Sequence, residues 1–291
     1  MENILDDEFI IQMDDSPPFS WIKQTPERFL RCNPGREVGT ICLNAFGNMY
    51  TIAAMAKDIV GERLVLPDGS AQFHSDCTSC IITYSGQLKE SMLALDGAKG
   101  KGIVISSGGQ IKGMARSRGW DYFPLPKGYS ARFLFPEIFG CMLSIFGIKV
   151  ETGGLDRFIE SNLPSELSAN NEAKQLALKI REGNVTLVYE ASTAGLAMRF
   201  RSLLSSNSGI ETKVKLVGQD AEPSLKDGEE GGYIFLVKNE SRFNGVNTGG
   251  FPYDSSSSEG YVKNEIIAEL STLYLGLLRG KEIELFDVDV E

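Results

Sequence analysis

Two runs, Ser79-Cys80-Ile81-Ile82-Thr83-Tyr84-Ser85-Gly86 and Gly102-Ile103-Val104-Ile105-Ser106-Ser107-Gly108-Gly109, decide the fold of this chain. Cys80–Tyr84 is a short apolar stretch of strand-forming residues, and Ser85-Gly86 breaks it. Leu88, Ser91, Met92 and Leu95 then recur at helical spacing, which predicts a helix starting near Gln87 and ending at Gly100–Gly102. Ile103–Ile105 reads as a second strand, closed by Ser106–Gly109. Two strands joined by one helix form a βαβ unit, and that implies a parallel sheet with a right-handed crossover. Both strands end in small hydroxyl residues and glycines, at the edge where open α/β sheets bind ligands. Thr83, Ser85 and Ser91 surround the expected helix N-terminus, whose free backbone N–H groups suit a phosphate.

The pattern extends in both directions. Upstream, Val38–Ala45 reads as a buried strand, Phe46-Gly47-Asn48 as a turn, and Met49–Val60 as a helix with Ile52, Met55, Ala56 and Ile59 on one face. Arg63–Leu66 is a short strand. Downstream come a helix over Ile111–Arg118, a strand over Trp120–Leu125 and an apolar helix over Phe133–Ile148, with Pro136 in its first turn, where proline is tolerated. A second cycle follows a connection over 151–182. Val185–Tyr189, Thr212–Val217 and Tyr233–Val237 read as strands; Ala194–Leu204 and Val262–Arg279 read as helices. The expected organisation is an arm over 1–35 packed on the first domain, a first α/β domain over 36–150, the connecting segment over 151–182 and a second domain over 183–291. Asn244–Gly260, with four serines at 255–258, reads as a flexible surface loop, with a lid as the alternative.

The chain has 291 residues, with 42% apolar and 23% charged, so a real core is expected. A formal net charge of −10 argues against a nucleic-acid partner, which needs a basic surface. The acidic first fifteen residues carry no signal-peptide pattern, and no apolar run reaches membrane-span length, so the expectation is a cytoplasmic protein without a membrane partner. Five scattered cysteines do not suggest a disulfide framework. Cys77 and Cys80 form one C-x-x-C. The lone histidine, His74, leaves a zinc site short of ligands, so the pair reads as cysteines at the start of a buried strand. Gly108-Gly109 followed by Gly113 lacks the Walker A ending, Phe46 stands where a dinucleotide fingerprint would open, and there is no Gly-x-Ser-x-Gly elbow.

Thr83-Tyr84-Ser85-Gly86-Gln87 resembles the Ser-Tyr-Ser-Gly-Asn-Thr phosphate loop of sugar isomerase (SIS) domains, and Ile105–Gly109 resembles their second strand end. Pro126-Lys127-Gly128-Tyr129-Ser130-Ala131-Arg132 is similar to the Pro-Arg segment of the archaeal-type bifunctional phosphoglucose/phosphomannose isomerases, and Ser271–Gly280 to their closing helix. The four blocks run in order from about 38 to 281. The resemblance implies two SIS-type subdomains, each a parallel sheet sandwiched between helices, in a homodimer acting on a phosphosugar with no metal or organic cofactor. The implied reaction interconverts glucose 6-phosphate or mannose 6-phosphate with fructose 6-phosphate through an enediolate.

On that resemblance Thr83, Ser85 and Gln87 would hold the phosphate and Ser106 and Ser107 would support it. Arg132 would stabilise the enediolate, or else form a surface ion pair. Glu222, in Ala221-Glu222-Pro223, is the candidate base, or else a solvated loop glutamate. The family's Gly-Gly-Ser-Gly loop is replaced here by Ala45–Asn48, where Phe46 would narrow the site and Gly47 and Asn48, with Asn44, would meet the substrate. The family's ring-opening histidine is missing, with Lys226 or Asp227 near its place, and its final lysine has no aligned counterpart, Lys281 being the nearest. A non-catalytic phosphosugar-binding protein is therefore the alternative, and an enzyme of an amino sugar phosphate a third reading.

Overall fold

The structure is a computed structural model that describes residues 4–31, 38–66, 77–181, 185–217, 232–236, 248–250 and 257–282. The chain divides into two compact units, Glu27–Val150 and Met1–Pro26 with Glu151–Glu291.

Three short helices open the chain: α1 (Glu8–Ile11), α2 (Phe19–Lys23) and α3 (Thr25–Leu30). The first two do not follow the expectation that the arm packs on the first domain. They belong to the unit that holds the C-terminal half. The Phe19 ring stacks on Tyr274 at 5.7 Å. The buried Lys174 ammonium donates to the Leu5 and Pro164 carbonyls at 2.7 and 2.9 Å. The Asp14 carboxylate accepts the Ser165 backbone N–H at 2.9 Å. An ammonium stripped of water needs oxygen partners, and the arm's backbone supplies one of them. Local periodicity shows that the arm is amphipathic but not which surface it covers.

In the Glu27–Val150 unit, strands β1 (Ile41–Ala45), β2 (Leu64–Val65), β3 (Thr78–Thr83), β4 (Gly102–Ser106) and β5 (Asp121–Pro124) form one sheet in the order β2-β1-β3-β4-β5. Every pairing is parallel. β1, β3 and β4 are buried almost throughout, as strands covered on both faces must be. Helix α4 (Gly47–Val60) follows β1, α5 (Lys89–Gly97) follows β3, α6 (Gly109–Ser117) follows β4, and α7 (Phe135–Ile145) follows β5. Ile81 and Val104 pack beneath Ala94, Leu95, Ile111 and Ala115, so α5 and α6 cover one face together. Helix α5 starts at Lys89, two residues after the expected Gln87, because Gly86 is left-handed (φ +67°) and Leu88 is extended.

The cysteine expectation needs correction. Cys42 on β1 and Cys77 just before β3 form a disulfide. Their spacing of 35 residues hides the fact that the parallel pairing of β1 with β3 brings Cys42 beside the residue that precedes β3. Cys80 is free, and burial pushes its thiol up to about 12, so it behaves as a small apolar side chain.

In the other unit, β6 (Val185–Tyr189), β7 (Thr212–Leu216), β8 (Gly232–Leu236) and β9 (Thr248–Gly250) form a parallel sheet in the order β7-β6-β8-β9. β9 is a strand inside the stretch expected to be loop. Most of the rest of that stretch lies outside the described residues. Helices α8 (Leu155–Glu160), α9 (Glu172–Ile180), α10 (Ala194–Leu203) and α11 (Ser258–Leu278) complete the unit. α11 was expected to bury one apolar side. It is buried almost all round, Asn264, Glu265, Glu269 and Thr272 included, because Arg199 and Asn207 supply the polar partners. No helix among the described residues is long and apolar enough to cross a membrane.

Candidate phosphate and catalytic site

The strand order of the five-stranded sheet reverses between β1 and β3. At such a switch point the connections leave toward opposite faces, and a crevice opens at the carboxyl ends of the strands. The loops flanking it are Phe46-Gly47-Asn48, which leads into α4, and Tyr84–Leu88, which leads into α5. Register places Asn44 opposite Ile81 and Thr83 opposite Ser106. Asn44, Thr83 and Ser106 therefore share one face of the sheet at this edge.

Two loops brace one another here. The Ser107 backbone N–H and hydroxyl both donate to the Tyr84 carbonyl, at 2.9 and 2.6 Å. The Ile111 N–H donates to the Gly86 carbonyl at 3.2 Å. The Ser106 hydroxyl donates to the Gly108 carbonyl at 3.0 Å, and the Tyr122 hydroxyl donates to the Ser106 carbonyl at 2.8 Å. Glycine is required at the crossing: a Cβ on Gly86 would lie 2.1 Å from the Gly108 oxygen, and one on Gly109 2.3 Å from the Ser85 oxygen. Both residues also hold positive φ, +67° and +69°. Ser106 and Ser107 thus serve as internal supports. The Ser85 hydroxyl accepts the Gln87 N–H at 3.2 Å, which shapes the turn ahead of α5.

Three polar atoms at this edge stand out. Thr83 Oγ1, Ser91 Oγ and Asn44 Oδ1 are buried and have no hydrogen-bond partner among the described residues. Thr83 and Ser91 are 1% and 0% exposed. Leaving a buried polar atom unpaired costs about 1–3 kcal/mol. The two hydroxyls, at the end of β3 and in the first turn of α5, can donate to a guest's oxygens, and the Asn44 carbonyl near the end of β1 can accept from a guest hydroxyl. Gly47 and Asn48 form the first turn of α4. Gly47 is exposed with open space at its Cβ position, and the Asn48 carbonyl accepts the Thr51 hydroxyl at 3.0 Å.

Arg132 lies in a 3₁₀ turn, Ala131–Phe133, between β5 and α7. It is 4% exposed, which removes the surface ion pair as its explanation. Its Nε donates to the Ser130 hydroxyl at 3.3 Å. The Tyr84 hydroxyl donates to the Tyr129 carbonyl at 2.8 Å, so the Arg132 segment is tied to the phosphate-loop candidate. The structure thus brings Asn44, Gly47, Asn48, Thr83, Ser85, Gln87, Ser106 and Ser107 to one sheet edge, with Arg132 on a segment bonded to it. Glu222, Lys226, Asp227 and His74 lie outside the described residues. Sequence reasoning missed Tyr122 and Arg28. Arg28 reaches Glu137 across 109 residues, and no local pattern signals such a pair.

No family model matches the chain. It is 27% identical over 138 residues to the D-glucosamine-6-phosphate 4-epimerase of Sulfolobus acidocaldarius, covering 46% of this chain and 45% of the relative. It is 28% identical over 132 residues to the bifunctional phosphoglucose/phosphomannose isomerase of Aquifex aeolicus, covering 44% and 40%. These partial matches agree with the resemblance to SIS-domain phosphosugar isomerases carried by the strand-end motifs. The chain's match spans less than half the length of these two curated relatives. Among solved structures, a glucose-6-phosphate isomerase-like protein of Thermus thermophilus shares the SIS fold at a TM-score of 0.64 and 16% identity, over 96% of this chain and 94% of that one.

Proposed function

We propose that the protein is an aldose–ketose isomerase that interconverts glucose 6-phosphate or mannose 6-phosphate with fructose 6-phosphate. The observation that carries this reading is the set of buried, unpaired polar atoms of Asn44, Thr83 and Ser91 at the switch point of the sheet. A phosphate seated there takes hydrogen bonds from the two hydroxyls and from Gln87 and its neighbours, and Ser106 and Ser107 keep the loops in place. Gly47 and Asn48 meet the sugar. Glu222 acts as general base. It removes the C2 proton of the open-chain aldose, and the electron pair forms the C1–C2 double bond while the C1 carbonyl becomes the enediolate oxygen; a proton passes from O2 to O1, and the same carboxyl returns its proton to C1 as the C2 carbonyl forms. Arg132 stabilises the enediolate oxygen. Lys226 takes the ring-opening role in place of the histidine found elsewhere in the family. The chemistry asks for no metal or organic cofactor. The working form in this reading is a homodimer in the cytoplasm, with the phosphosugar as its partner.

The test is turnover: purified protein with glucose 6-phosphate or mannose 6-phosphate, with fructose 6-phosphate followed by a coupled assay. Activity that vanishes in Arg132→Ala, and in Glu222→Gln with phosphosugar affinity retained, supports the assignment. Activity surviving in Glu222→Gln overturns the base. The missing histidine favours a second reading, a non-catalytic phosphosugar-binding protein. Thermal stabilisation by both sugars without any turnover would select it.

A further inference from the structure

The 3₁₀ turn that carries Arg132 is one turn long, between an edge strand and α7, so its position depends on what grips it from outside. One buried side chain of α3 supplies part of that grip. Arg28, 1% exposed, donates through Nε and Nη2 to the two oxygens of Glu137 at 2.7 and 2.6 Å. Nη2 also donates to the Phe133 carbonyl at 2.5 Å. The face of the guanidinium lies 4.4 Å from the centre of the Tyr129 ring. Arg28 therefore holds positions 129, 133 and 137, on both sides of Arg132. At the first of them the chain is also bonded to the phosphate loop through Tyr84.

We propose that Arg28 is the positioning residue for Arg132: it sets the distance between the Arg132 guanidinium and a guest whose phosphate is fixed by the Thr83–Gln87 loop. This rests on the isomerase reading for the guest's chemistry. Only an arginine suits the task, because the planar fork meets a carboxylate while its face stacks on a ring. Glu137 neutralises it, so the grip adds no net charge beside Arg132. Loosening the grip leaves the contacts between Tyr84 and Ser107 in place, since they do not involve Arg28.

The test uses two probes on the full chain: inorganic phosphate, and a hydroxamate of a five-carbon sugar acid phosphate that mimics the enediolate. Arg28→Lys keeps the charge and loses the fork. The double variant Arg28→Met with Glu137→Met removes both buried charges together, a replacement that folded proteins tolerate. Both variants are expected to bind phosphate as the wild type does and to lose the wild type's preference for the hydroxamate, as Arg132→Met does. In turnover, kcat should fall about 100-fold, as expected for a misplaced group, with KM little changed. A retained preference, a parallel loss of both probes, or a wild type without preference overturns the proposal. A wild type that prefers the hydroxamate and turns over no sugar, with variants that lose the preference, sinks the isomerase reading alone.

Discussion

Each half of the molecule anchors a long apolar helix with one buried arginine, and the two anchors are balanced differently. In the Glu27–Val150 unit, Arg28 pairs with Glu137 of α7 among the described residues. In the other unit, Arg199 of α10 lies between two carboxylates one turn apart on α11: Nε donates to Glu265 at 2.7 Å and Nη2 to Glu269 at 2.8 Å. Arg199 and Glu265 are wholly buried. Burial drives the Glu265 carboxyl up to about 8; Arg199 opposes the rise and the neighbouring Glu269 adds to it. The first anchor is a neutral clamp beside a candidate site. The second carries an excess acid and holds a proton near neutrality.

The largest effect should separate the two. Arg199→Met leaves Glu269 as a buried carboxylate, and the protonated Glu265 beside it, without their shared donor, and should cost about 3–5 kcal/mol by urea unfolding. Arg28→Met strands one carboxylate and should cost less. Equal losses would mean that Glu265 loses nothing when its donor Arg199 is removed. The next effect belongs to the first half alone. Cys42→Ser removes the Cys42–Cys77 link and should cost about 2–4 kcal/mol, with dithiothreitol producing the same loss in the wild type and none in the variant.

The smallest effect is a slope. The Glu265 carboxyl lies above its unfolded value of 4.5. Between 4.5 and about 8 the folded state binds the extra proton, so its contribution to stability is complete below 4.5 and lost as pH rises toward 8. Wild-type melting temperature should fall over that window, and Glu265→Gln should flatten the fall. An identical slope in both would place the proton elsewhere.

These anchors also mark the limit of what the sequence made legible. The βαβ unit, the two cycles and the glycine-bearing strand ends are local patterns, and the parallel sheets follow from them. The candidate loop was readable as a structural unit because a strand end, a turn and a helix start are contiguous at Thr83–Lys89. What joins distant positions was not. The Cys42–Cys77 link, the Arg28 and Arg199 clamps and the seat of the N-terminal arm depend on tertiary neighbours with no periodic signature. Ser106 and Ser107 were legible as site residues, but their bonds to Gly108 and Tyr84 make them supports. Arg132 was legible as a cation, and only burial separated it from a surface ion pair.

Proton transfer at carbon defines the proposed reaction, and isotope exchange reads it without depending on ring opening by any particular group. Fructose 6-phosphate incubated with the protein in deuterium oxide should acquire deuterium at C1, seen by proton NMR, and Arg132→Ala should abolish the exchange. A C1 signal that stays fully protonated, while fructose 6-phosphate still raises the melting temperature, would contradict catalysis and leave a phosphosugar-binding protein on an isomerase fold.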